Sequence, residues 1–130
     1  MINTISYAGE WIQINLPVKI VLTKYNLFTR IGFLNRGPNI FWLAGSNDGS
    51  EWSLIDTKTN ITNYTTEGKT FILLNQSVPY SFYRLIINRT NGDIWTGLSE
   101  FQLFGKELLT LIQELQISNL NSTSTTILIM

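Results

Sequence analysis

An all-β fold, an antiparallel sandwich of about seven strands, is what this sequence predicts for most of its length. Short segments rich in β-branched and aromatic residues recur at regular spacing, and clusters of Gly, Pro, Asn, Asp and Ser separate them. The composition agrees, because 130 residues with 44% hydrophobic and 14% charged side chains suit one domain with a substantial core.

The first two predicted strands lie before residue 30. Residues 10–16, EWIQINL, alternate apolar and polar side chains, as a half-buried strand does. Pro17 interrupts the pattern, and residues 19–29 form a second segment that lacks helical periodicity. Five further strand-like segments follow, at 39–45, 51–57, 69–75, 80–89 and 99–105.

The stretch SNDGSEW, residues 46–52, lies between two of these strands and is predicted to be a hairpin turn. Asn47, Asp48 and Gly49 all tolerate positive φ, and Asp48 is expected to accept hydrogen bonds from its own backbone. A calcium site would need several converging oxygen ligands, which one Asp-Gly pair does not supply. We therefore predict a turn and no metal site.

The pattern changes at the C-terminal end. Residues 106–116, KELLTLIQELQ, predict an amphipathic helix of about three turns, because apolar side chains recur at i, i+3, i+4 and i+7. These side chains are Leu108, Leu111, Ile112 and Leu115. A polar linker-like run at 118–126 leads to the terminal ILIM. The predicted organisation is a β-sandwich over residues 1–105 and a short helix with an extended tail over 106–130.

Charge and composition exclude several function classes. The net charge is zero and no basic run occurs, so neither nucleic acid nor an anionic membrane is an expected partner. The absence of Cys and His excludes disulfides, thiolate chemistry, Ser-His triads and histidine-bound zinc. We expect no signal peptide, no transmembrane segment and no cofactor.

Four segments occur in order over residues 9–106: GEWIQINL, SNDGSEW, YSFYRLIINRTNG and SEFQLFGKE. Their order and spacing resemble the discoidin family, also called the coagulation-factor type C domain, of the galactose-binding-like superfamily. The resemblance implies a jelly-roll-like antiparallel β-sandwich used for binding glycans, lipid head groups or protein surfaces.

Two features depart from that family. Its members usually carry further strands at the N-terminus, whereas eight residues precede Gly9, and the C-terminal helix and tail are additional. A sandwich without an edge strand exposes unpaired backbone groups, which invite pairing with another chain. We therefore expect other protein chains to complete the domain, in a homo- or hetero-oligomer, with the four apolar helix positions as assembly contacts.

Strand parity predicts a ligand site at one end of the sandwich. If successive strands are antiparallel, the long loops at 30–39, 58–68 and 90–97 emerge together at one end. Aromatic rings stack on the apolar faces of sugars while Arg, Asn and Asp hydrogen-bond to hydroxyls, so these loops suit a glycan. The candidate ligand-binding residues are Arg30, Phe33, Asn35, Arg36, Tyr64, Asn91, Asp93 and Trp95.

Structural roles stay open for several of these side chains. Phe33 and Trp95 would also serve as caps on the core, and Arg36 would also serve to satisfy loop carbonyls. Arg84, within a strand, is expected to pair with a neighbouring polar group. Three tryptophans in or beside strands are expected to pack, namely Trp11, Trp42 and Trp52.

Catalysis is not predicted, because a glycosidase needs two facing carboxylates and nothing in the sequence brings Asp93 and Glu100 together. The main functional hypothesis is a non-enzymatic structural or attachment module of a virion, as a capsid or surface component. The bias towards Asn and Ile is typical of an AT-rich genome, and discoidin-like domains occur in large DNA viruses. The alternative hypothesis is a lectin-like module that binds glycan with the loop end of the sandwich.

Overall fold

Seven strands, each paired antiparallel with its neighbours, form more than half of the described chain. The computed structural model describes residues 9–107 and the backbone of residues 126–129. In chain order the strands are β1 (Glu10–Phe28), β2 (Pro38–Ser46), β3 (Ser53–Lys58), β4 (Lys69–Ile72), β5 (Tyr80–Thr90), β6 (Glu100–Glu107) and β7 (Thr126–Ile129). A short 3-10 helix, Leu34–Arg36, precedes β2. The predicted all-β antiparallel fold is confirmed.

Strand β1 belongs to both layers of the sandwich. Its first part, Glu10–Asn15, pairs with β5, and its last part pairs with β6 on one side and β4 on the other. The sheet order is β3-β2-β5-β1-β6-β7, so the sheet curls around this one strand. The register shifts between Asn15 and Ile20, around Pro17, which has no N–H to donate to a ladder. The two strands predicted before residue 30 are therefore one bent strand.

The core lies inside the curled sheet and is centred on Tyr25. The Tyr25 ring stacks on Phe71, with centroids 5.1 Å apart, and meets Phe41 and Phe101 edge to face at 6.5 and 6.4 Å. Burial raises the pKa of the Tyr25 hydroxyl above its usual value, and its 2.6 Å hydrogen bond to Asp56 Oδ2 raises it further. Other buried core side chains include Leu22, Leu27, Leu43, Tyr83, Leu85 and Leu103.

The C-terminal predictions fall mostly outside the described residues. Strand β6 continues through Lys106 and Glu107, so the first two residues assigned to the predicted helix are in fact strand. The rest of that helix lies outside the described residues, and so do its apolar positions, Leu108, Leu111, Ile112 and Leu115. Residues 126–129 pair with β6 as strand β7. The division at residue 105 stays a prediction.

The SNDGSEW segment forms the predicted turn. Asp48 Oδ1 accepts hydrogen bonds from the backbone N–H groups of Ser50 and Glu51, both at 2.8 Å. Gly49 has a φ of 77°, a conformation that glycine adopts without steric cost. The bonds from Glu51 and then Ser50 lower the pKa of Asp48, which is therefore a turn former.

Asp48→Asn is expected to make the stability of the fold less dependent on pH in the acidic range. Because folding lowers the pKa of Asp48, its carboxylate stabilises the fold above the ordinary pKa of 3.8, and that contribution is lost as the pH falls through the lower folded value. Thermal melts at neutral pH should find the variant less stable than the wild type. Melts at successively lower pH should bring the two curves together. A gap that is constant with pH would contradict the assignment.

No helix in the described ranges is long and apolar enough to cross a membrane.

Candidate functional site

Three loops meet at the end of the fold where β1, β3 and β5 finish, and we call residues 29–37, 59–68 and 91–99 the loop end. Backbone hydrogen bonds join them, from Ile61 N to Asn39 O at 3.1 Å, at the start of β2, and from Asn91 N to Gly37 O at 3.1 Å. A third bond runs from Gly97 N to Arg36 O at 3.2 Å. The position of the three loops at one end of the sandwich agrees with the arrangement expected from strand parity.

Asn91 connects all three loops through its side chain. Its Nδ2 donates to Gly37 O at 2.9 Å and to Ile61 O at 2.8 Å, and its Oδ1 accepts from Asn39 Nδ2 at 2.9 Å. Both amide N–H groups are thus committed within the protein. Asn91, one of the predicted ligand-binding residues, therefore holds the loops together and has no amide N–H group left to donate to a ligand.

Tyr64 is a second support. The side chain is buried, and its hydroxyl donates to Pro38 O at 2.7 Å. Burial raises the pKa of Tyr64 above its usual value. Gly37 lies so close to the Tyr64 ring that a Cβ there would come within 2.4 Å of it. Tyr64 thus fixes the path of the first loop and leaves no exposed surface for a ligand.

An ion pair joins the first loop to the third, and within the first loop an aromatic ring packs on two arginines. Arg36 Nε lies 3.0 Å from Asp93 Oδ2, and Asp93 Oδ1 accepts from the backbone N–H of Trp95 at 3.0 Å. The Trp95 bond and then Arg36 lower the pKa of Asp93, which stays ionised. The guanidinium carbons of Arg36 and Arg30 lie 4.1 and 4.9 Å from the centroid of Phe33. Phe33 therefore packs on arginines.

Trp95, Arg30 and Asn35 are the predicted residues that the loop end exposes. The Trp95 side chain is 61% exposed, so it does not cap the core. Arg30 and Asn35 are exposed on the neighbouring loop. An indole ring and hydrogen-bonding groups are therefore presented on a surface that internal bonds already fix.

An open cavity of about 530 Å³ adjoins the third loop. Glu10 and Arg89 line it, together with Asp93 and Thr96. Its volume is within the range of small-molecule sites, and its lining offers charged and hydroxyl groups for hydrogen bonds. Within the described residues, no group of three acidic, Cys or His side chains is placed to hold a metal ion.

Trp11 is exposed at the surface, although the sequence predicts that it packs. Trp52 is buried as expected, but Trp11 is 57% exposed on the outer face of the layer formed by β3, β2, β5 and the first part of β1. The exposure of Trp11 could have been predicted from the alternation in EWIQINL, because Trp11 lies on the same side of the strand as the polar Gln13 and Asn15. Arg84 pairs with Gln13, which confirms that it has a polar partner.

No protein-family model matches this sequence, and a comparison with curated proteins gave no significant match. Solved structures do match. A family 89 glycoside hydrolase from Clostridium perfringens has a TM-score of 0.64 at 20% identity, over 79% of this chain and 11% of that one. A SusE-like protein has a TM-score of 0.64 at 13% identity, over 77% of this chain and 48% of that one. A pectin-binding carbohydrate-binding module has a TM-score of 0.60 at 18% identity, covering 75% and 68%.

These identities establish a shared fold and nothing more specific. The shared fold agrees with the antiparallel β-sandwich that the sequence predicts, and membership of the discoidin family stays a prediction of the sequence. The chain spans a small part of the glycoside hydrolase and about half of the SusE-like protein.

Proposed function

We propose that this chain is a non-catalytic carbohydrate-binding module that binds a glycan at the loop end. The observation that carries the proposal is the exposed Trp95 indole on loops that Asn91 and the Arg36–Asp93 ion pair hold in place. Support also comes from the fold, which is shared with a module named for binding pectin.

In this proposal Trp95 stacks on the apolar face of a sugar ring. Arg30 and Asn35 bond to sugar hydroxyls, and the ionised Asp93 accepts hydrogen bonds with its remaining lone pairs. Arg36 and Phe33 position Asp93 and Arg30, and Asn91 and Tyr64 hold the loops. Because the loops are fastened before the ligand arrives, binding needs little further ordering of the backbone.

The proposal gives Asp93 no role as the acid of a glycan hydrolysis. Asp93 is held ionised by Trp95 and Arg36, so it is unsuited to donate a proton to a leaving group. The matching part of the glycoside hydrolase is 11% of that chain, which fits an accessory domain better than a catalytic one.

The virion hypothesis gains no support from the comparisons, and the glycan-binding alternative becomes the main proposal. The expected protein partners and the assembly contacts on residues 106–116 remain predictions of the sequence.

Trp95→Ala is expected to weaken glycan binding by about tenfold or more. Truncating a central aromatic contact costs about 2 kcal/mol, and 1.4 kcal/mol is a factor of ten. Isothermal titration calorimetry against a panel of neutral and acidic oligosaccharides measures the effect. Leu74→Ala is the matched control, because Leu74 is 87% exposed but lies beyond β4, outside the loop end. Unchanged affinity in the Trp95 variant, or no binding across the panel, would overturn the proposal.

A further inference from the structure

A second group of aromatic and polar side chains lies on the outer face of the β3-β2-β5-β1 layer. We call Trp11, Gln13, Asn15, Trp52 and Arg84 the outer platform. The strand register places Gln13 beside Arg84, on the face opposite the buried Tyr83 and Leu85. The platform thus lies on the face opposite the core centred on Tyr25, where the buried Trp52 also packs in a smaller cluster with Ala44 and Ile86, and it is composed of residues that the loop end does not use.

Arg84 is fixed at the centre of the platform. Its guanidinium carbon lies 4.0 Å from the centroid of the Trp11 ring and 4.2 Å from that of Trp52. Arg84 Nε and Nη2 donate to Gln13 Oε1 at 3.0 and 2.7 Å, and Gln13 Nε2 donates to Asn15 Oδ1 at 2.7 Å. A rigid cation therefore stands beside an exposed indole and two side-chain amides.

The charge of Arg84 is not neutralised within the described residues. The ion pairs there are Arg36–Asp93 and Lys58–Asp56, and the partner of Arg84 is the neutral amide of Gln13. Desolvation by its surroundings lowers the pKa of Arg84. A partly desolvated guanidinium remains charged, so a negatively charged group of a ligand would bind it favourably.

We infer that the outer platform is a second binding site, for the carboxylate-bearing sugar of an acidic glycan. The sugar ring stacks on Trp11, its carboxylate binds Arg84, and the Gln13 and Asn15 amides bond to its hydroxyls. Peptides commonly bind by pairing with a sheet edge or by filling a groove. The platform instead lies on a sheet face where β1 and β5 pair with each other, which favours a flat sugar ring.

Trp11→Ala is the variant that tests this site, because Trp11 is exposed and the core does not depend on it. We expect it to weaken binding of a galacturonic acid tetrasaccharide to the full chain by about tenfold, measured by calorimetry. Arg84→Gln should remove the preference for this probe over a neutral galactose tetrasaccharide. Arg84→Lys should keep part of the preference for the acidic probe, since lysine retains the positive charge but lacks the planar guanidinium group. Raised salt should weaken the wild-type interaction.

Three outcomes would overturn the inference: equal wild-type affinity for the acidic and neutral probes, full affinity in Trp11→Ala, or equally strong binding of polyglutamate. Trp95→Ala separates this site from the loop end. If the acidic probe depends on Trp95 and not on Trp11, the loop-end proposal stands and the second site fails. If it depends on Trp11 and Arg84 and not on Trp95, the second site stands without the loop end.

Discussion

Tyr25→Ala is expected to lower the free energy of unfolding by about 3–5 kcal/mol, the range for truncating a buried aromatic side chain. Tyr25 is fully buried on the strand that both layers share, and three aromatic rings contact it. The substitution leaves a cavity at this point and removes the hydrogen bond to Asp56. Urea denaturation followed by tryptophan fluorescence measures the loss.

Tyr25→Phe is the control that separates packing from the hydrogen bond. The ring contacts remain, while Asp56 loses the donated hydroxyl and keeps Lys58 Nζ at 3.4 Å. A loss of about 1–2 kcal/mol is expected for this variant. If the alanine variant lost no more than the phenylalanine variant, Tyr25 would not be the centre of the core.

Asn91→Ala is expected to lower stability by about 2–3 kcal/mol and to weaken glycan binding as well. The substitution removes the Asn91 amide donor from Gly37 O and Ile61 O, and it leaves Asn39 Nδ2 with its longer 3.3 Å bond to Ile61 O, in a partly buried position. The loops that present Arg30, Asn35 and Trp95 then lose the side chain that bonds to all of them, while the backbone hydrogen bonds between the loops remain. Thermal melts and calorimetry on the same preparation measure both effects.

Asn35→Ala is the matched control, because Asn35 is an exposed asparagine of the same loop end. Its removal is expected to change stability by less than about 0.5 kcal/mol and to weaken binding. If Asn91→Ala were as stable as the wild type, Asn91 would not fasten the loops.

Local patterns predicted the strands well, because alternation and turn residues are properties of neighbouring positions. The bend in β1 was predicted as a break at Pro17, since the sequence cannot reveal that β5, β6 and β4 pair with successive parts of one strand. Strand β7 was not predicted, because its pairing with β6 is a long-range contact.

The position of the loop end could be predicted because strand direction alone determines which loops emerge together. Which of its residues hold the loops and which are exposed to a ligand could not be predicted. In the sequence, Asn91 and Trp95 are equally good candidates for ligand contacts. In the structure, hydrogen bonds from Asn91 hold the loops, whereas Trp95 is exposed and able to contact a ligand. Trp11 was assigned to packing although its alternation with Gln13 placed it on the outer face.

The most direct test of glycan binding at the loop end is a chemical-shift map of the ¹⁵N-labelled chain, titrated with an oligosaccharide that binds in the calorimetric panel. The account predicts that amide resonances of residues 29–37 and 91–99 shift, together with the indole resonance of Trp95. Resonances of residues 74–78, which follow β4 at the opposite end of the sandwich, should stay in place. Shifts in that segment with none at the loop end would contradict the account.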